Sequence, residues 1–226
     1  MIALCRILAA LLVLLPATAG TALAAEQRIA LVIGNAAYPD GALNTPADDA
    51  RLVATSLREL GFQVIERLDM PRGDMALAVT DFGYRLADGG DDTVGLFYYA
   101  GQALQANGRN YLLPIDAEID GTGDIGGQAL SANAIVGRMA GAGNGLNIVI
   151  LDASGLARMA TPPETLIAYS TAPDEIAIDG PGANSPYATA LAAAIGEPGL
   201  ALEQVFERAR QAVLEATDGQ QTPWET

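Results

Sequence analysis

The chain has 226 residues and a net charge of −15, with 27 acidic against 12 basic side chains, no histidine, no lysine and one cysteine, Cys5. A surface this acidic repels phosphate backbones and anionic lipid, which argues against nucleic acid and membrane surfaces as partners. Lack of imidazole, and a lone thiol at the far N-terminus, exclude the usual His/Cys zinc sites and any internal disulfide.

Met1 to Arg6 forms a short positively charged start, Ile7 to Leu15 an apolar core, and Ala22-Leu23-Ala24 a small-residue cleavage site. That is the layout of a secretory signal peptide, so residues 1–24 are expected to be removed and the protein to be periplasmic or secreted. Retention as an N-terminal anchor is the alternative. The apolar run is far shorter than the ~20 residues of a spanning helix, and no second such stretch follows. Cys5 precedes the apolar core and does not read as a lipid-attachment site. Removal leaves residues 25–226, with 27 acidic and 11 basic side chains. At roughly 100–200 residues per domain this is a single domain.

Within it, short apolar runs alternate with helical patterns. The runs are Ile29–Ile33, Phe62–Ile65, Val94–Tyr99, Ile148–Leu151 and Leu166–Tyr169. They are continuous rather than alternating, as in strands buried on both faces, which predicts an α/β sandwich with a mostly parallel sheet. Helical spacing of Val53, Leu57 and Leu60 follows a Thr45-Pro46 start. Met75, Ala78, Val79, Phe82 and Leu86 repeat the pattern, as do Leu202, Val205, Phe206, Ala209 and Val213. Core packing accounts for all of these. Gly-rich connections lie at Gly121–Gly127 and Gly141–Gly145. In such sheets, sites form beyond the carboxyl ends of the strands, after Tyr99, Leu151 and Tyr169.

At those ends stand Tyr98-Tyr99-Ala100-Gly101-Gln102-Ala103 and Leu151-Asp152-Ala153-Ser154-Gly155. Here the chain resembles the caspase-like cysteine peptidases, specifically the bacterial metacaspase type, which carry Tyr-Tyr-Ala-Gly-His-Gly and Asp-Ala-Cys-Arg. The resemblance runs from about Arg28 to Glu225. It includes Ala30–Asn35, Pro46–Ala50, Asn110–Pro114, Leu166–Pro173, Asn184–Tyr187 and Gln221–Glu225. It implies a caspase-like α/β/α sandwich.

The departures bear on function. Gln102 stands where the family has its base and Ser154 where it has its nucleophilic Cys. Ala103 and Gly155 replace the following Gly and Arg, and the stretch from Ser154 to Thr165 is shorter than the family loop. A serine hydroxyl needs an adjacent base to attack at neutral pH. The Gln102 amide cannot accept a proton, and no His or Lys can substitute. Asp152, two residues before Ser154, is poorly matched to that task with an ordinary pKa near ~4.

The resemblance also implies an acidic pocket for an Arg or Lys side chain, its carboxylates corresponding to Asp49 and Asp152, with Tyr169 and Ser170 along the substrate groove. A planar guanidinium suits paired carboxylates. Equally, Asp48 and Asp49 in a first helical turn serve the helix dipole. Tyr98 and Tyr99 read as core. Asp116, Glu118, Asp120, Gly121 and Asp124 echo a calcium loop, but its twelfth position is Gly127 rather than Glu. No cofactor is therefore expected, with calcium at another carboxylate cluster left open.

The leading expectation is a non-catalytic caspase-like domain that binds a basic segment of a partner protein or regulates an active relative. The alternatives are a residual hydrolase using Ser154 with a carboxylate or metal, and a structural or decaying paralogue without a ligand.

Overall fold

The computed structural model describes residues 27–226, apart from 174, 179 and 181. The expected leader at 1–24 lies outside the described residues. A six-stranded sheet runs through the middle in the order β2-β1-β3-β7-β8-β9. Its strands are β1 (Arg28–Gly34), β2 (Gln63–Leu68), β3 (Val94–Ala100), β7 (Leu146–Asp152), β8 (Thr165–Tyr169) and β9 (Trp224–Glu225). The first five are parallel, and β9 returns antiparallel along β8.

Helices α2 (Arg72–Gly89) and α4 (Ala132–Ala140) cover one face, and α1 (Pro46–Glu59), α5 (Pro186–Gly196) and α6 (Leu202–Ala216) cover the other. The chain is thus an α/β/α sandwich with a mostly parallel sheet. Alternate residues of each central strand feed opposite cores. Leu31, Phe97, Tyr99, Val149 and Leu151 pack with α2 and α4, whereas Val32, Tyr98, Ile148 and Ile150 pack with α1, α5 and α6. Both faces are dry, so the strand sequences show no polar alternation.

The apolar stripe of α2 is buried as its spacing predicts, from Met75 to Leu86. Met75, Val79, Phe82 and Leu86 each contribute about 1.5–3 kcal/mol. The exposed Arg85–Asp81 pair on the same helix adds a few tenths at most, so burial sets the helix's orientation. In α6, Phe206, Ala209 and Val213 are buried, while Leu202 and Val205 sit at the core's margin.

Several expectations are corrected. Leu60 caps α1 and is 41 % exposed, because the helix ends at Glu59 and the chain turns through Gly61 at φ 82°. Phe62 precedes β2 instead of opening it. The Gly121–Gly127 connection holds a short helix, α3 (Ile125–Gln128). A small antiparallel sheet of β4 (Ala103–Ala106), β5 (Arg109–Leu112) and β6 (Leu130–Ser131) has no apolar run to announce it. No helix among the described residues is long and apolar enough to cross a membrane.

Candidate functional site

The carboxyl ends of β1, β3, β7 and β8 meet α1 and the segment before α5. Asn35, directly after β1, is fully buried and works as a junction. Its Oδ1 accepts from Met70 N at 2.9 Å and its Nδ2 donates to Leu113 O at 3.1 Å. The hydroxyls of Tyr38 and Tyr99 also donate to Leu113 O, and Tyr99 reaches Gln102 O as well. Gly101 lies inside this knot with φ 152°. A Cβ there would fall 2.7 Å from the Tyr38 hydroxyl and 2.8 Å from that of Tyr99, so only glycine fits.

Beside the knot opens a cleft of about 350 Å³, lined by Thr45, Pro46 and Asp49 of the α1 start, Gly101, Asp152 and Ser154 after β3 and β7, and Ile176–Ile178 and Ser185 from the loop before α5. Three of the residues singled out from sequence, Asp49, Asp152 and Ser154, therefore share one cleft.

The two neighbouring acids of α1 divide their roles. Asp48 faces solvent and pairs with Arg51. Asp49 is buried, and its Oδ1 accepts from Ser185 N at 2.8 Å and Asn184 Nδ2 at 3.0 Å. Burial pushes its pKa up, opposed by the hydrogen bonds from Asn184, Ser185 and Thr45. Asp152 ends β7, and its Oδ2 accepts from Tyr98 OH at 3.0 Å and Ser185 Oγ at 3.4 Å. Burial first, then the charge of Asp49, pushes its pKa up to about 7, against the lowering effect of the Ser170, Tyr98 and Ser185 hydroxyls. The ordinary carboxylate acidity expected of Asp152 is thereby corrected. Ser185 spans both acids, its N–H on one and its hydroxyl on the other.

Ser170 lies fully buried beside Asp152, yet its Oγ makes no hydrogen bond of ordinary geometry, and neither does the buried Tyr187 hydroxyl. Ser154 is half-buried, and its Oγ accepts from Ala177 N at 2.8 Å. Gln102 is not among the residues lining the cleft. Its Nε2 donates to Gly41 O at 3.1 Å. Tyr169 packs on the sheet's other face, stacked on Trp224 with ring centroids 4.3 Å apart, and its hydroxyl accepts from Met159 N.

Sequence reasoning missed Ser185, Asn184 and Tyr187 as site residues, and gave Tyr98 only a packing role. A Ser-Pro helix start is readable at Ser185, whose Oγ caps Ala188 N. Its bond to Asp49, 136 residues away, has no local signal.

Outlying motifs tie down the rim. Gln221 Nε2 donates to Ser170 O at 2.8 Å and its Oε1 accepts from Ile178 N at 3.0 Å. The Trp224 indole donates to Thr171 O, and Asn110 clamps Ala157 through both its amide atoms. In the candidate calcium stretch, Asp116 accepts from Arg72 N and Asp124 from Gly121 N. No group of three or more metal-ligating side chains comes together among the described residues.

A caspase-domain family profile matches residues 27–226. The chain belongs to the caspase-domain family. Similar relatives include the human mucosa-associated lymphoid tissue lymphoma translocation protein 1 and its mouse homologue, each 32 % identical over 129 residues, or 57 % of this chain. The matched stretch is 15 % of the length of those relatives, so the likeness concerns one part of each. Within this caspase domain, Gln102 and Ser154 occupy the places that the motif resemblance assigns to base and nucleophile. The chemistry on offer at the cleft is two buried carboxyl groups, hydroxyls and amides.

Proposed function

We propose that this caspase domain has no peptidase activity and that its cleft binds an Arg or Lys side chain of a partner protein, an active family relative being one such partner. The observation that carries the reading is the pair Asp49 and Asp152, both buried in one cleft with no arginine among its lining residues. Uncompensated buried carboxyls are costly, and a guanidinium or ammonium group supplies what they lack. The reactive half is missing: Gln102 offers a neutral amide already tied to Gly41 O, and the chain has no histidine. Export of the mature domain to the periplasm or beyond is part of the proposal, on the strength of the leader layout.

One observation favours a second reading. With a pKa of about 7, Asp152 is closer to a useful general base than an ordinary carboxylate, and Ser154 shares its cleft. Against it, the Asp152 carboxyl is engaged by Tyr98 and Ser185, and Ser154 accepts from Ala177 N. Incubation with Arg- and Lys-ended fluorogenic peptides separates the two. The expected outcome is no release above buffer. Turnover abolished by Ser154→Ala defeats the non-catalytic reading in favour of the second. Binding of the same peptides is expected to weaken by tenfold or more in Asp49→Asn and Asp152→Asn, as for truncation of one member of a buried charged contact. Unchanged affinity in both variants leaves the cleft without a ligand, as in a structural paralogue.

A further inference from the structure

The two acids are not equivalently held. Asp49 takes two N–H donors, the Ser185 backbone and the Asn184 amide, which only donate and favour a carboxylate, besides the Thr45 and Ser185 hydroxyls. Asp152 meets only hydroxyls: Tyr98 of β3 and Ser185 before α5 donate to it, Ser170 lies directly after β8, and the Tyr187 hydroxyl of α5 feels its charge. The one charge facing Asp152 is Asp49 from α1. Beyond Tyr187 lie Arg210 of α6 and Glu225 of β9, which pair with each other.

The buried Ser170 Oγ, beside Asp152, is the second observation. It makes no hydrogen bond of ordinary geometry. As a hydroxyl it can donate to an Asp152 carboxylate, which lowers that pKa, or accept from an Asp152 acid, so either protonation state finds a partner there. Like charges held together in a dry site cannot both be kept, and one carboxyl retains its proton. We propose that the empty cleft stores one proton on the Asp49/Asp152 pair, chiefly on Asp152, and that a docking guanidinium or ammonium group displaces it to solvent. The balance is one acid, one carboxylate and one cation going to two carboxylates, the same cation and one released proton. Total charge is conserved, and the neutral acid is exchanged for an ion pair.

The inference rests on the cation-binding reading above and gives it a regulation: affinity for a basic side chain rises with pH and levels off once the empty pair has lost its proton. Shifts in both acids agree in direction, each raised first by burial.

The test is calorimetric titration of the whole exported domain with an N-acetylated, C-amidated peptide holding one internal arginine. It is run at half-unit steps from pH 5 to 8.5, in two buffers of different ionisation enthalpy. The expected result is a Kd that improves about tenfold per pH unit below neutrality and then becomes flat, with close to one proton released per peptide at the acid end. Asp152→Asn is expected to bind more weakly, with a pH-independent Kd. Binding that is tight and flat across the range, with no buffer-dependent heat, overturns the proton exchange while leaving the cation site standing. Absence of binding at every pH overturns both. Since a variant can fail for lack of folding, carboxyl carbon NMR titration of the unliganded wild type is the companion measurement. All aspartates titrating near 4 overturn the stored proton.

Discussion

Asp152 carries a stability consequence that is separate from any ligand. In the unfolded chain its pKa returns to about 3.9, whereas in the folded cleft it stands at about 7. Between those values the native state holds a proton that the unfolded chain has lost, so stability falls as pH rises from about 4 to about 7 and is level above. At 1.36 kcal/mol per unit, the rise from 3.8 to about 7 corresponds to at most about 4 kcal/mol. Asp152→Asn keeps the shape and removes the charge, and its amide can donate to the Ser170 hydroxyl or to Asp49. We expect the variant to gain about 1–3 kcal/mol over wild type at pH 8, within that bound, and to gain nothing at pH 4. Urea unfolding at the two pH values measures it. An equal effect at both would mean that the Asp152 pKa is the same in the folded and unfolded chain.

At the scale of elements, the site is a set of strand ends whose side chains cannot leave without breaking the sheet, closed by a loop whose described residues form no helix or strand. Its described residues from 171 to 178 are held both by bonds among themselves and from the C-terminal tail. Glu175 accepts from Ala172 N and Thr222 N, and fully buried Gln221 bonds Ser170 O and Ile178 N. Gln221→Ala leaves a buried carbonyl and a part-buried N–H without partners, for a loss of about 1–3 kcal/mol. Faster hydrogen exchange at Ala177 and Ile178 is expected to exceed any change in β3 or β7. Uniform acceleration would show that Gln221 serves global stability instead.

The difference between local and distant partners explains what could be read beforehand. The parallel strands and α2 were legible because each segment declares its burial through its own residues. Asp49 and Asp152 were reached through motif resemblance. Ser170 was reached the same way, whereas Ser185 was hidden, since what matters there is a bond to Asp49 between segments far apart in sequence. The β4–β6 sheet was invisible for another reason: its strands are two to four residues long and half-exposed, too short for any period. Leu60 misled because it keeps the helical spacing one residue beyond the helix's end.

Over the whole molecule, two kinds of electrostatics should separate in kinetics. The net charge of −15 makes a long-range field that draws a basic partner from any direction. Asp49 and Asp152, in contrast, are buried at the wall of the cleft, where salt screens a contact far less than at the open surface. Raising salt from about 0.1 M to about 1 M shortens the screening length from about 10 Å to about 3 Å, which removes the field but barely touches a buried contact. For a peptide with several arginines, the association rate constant is expected to fall at least tenfold across that range while dissociation changes little. Peptides with a single arginine should show a much shallower association slope, because fewer charges feel the field. Stopped-flow binding at fixed pH 8, where the pair has already lost its proton, keeps the two effects apart. If salt acted mainly on dissociation, the basic side chain would be held at the acidic surface and the cleft would not be its seat.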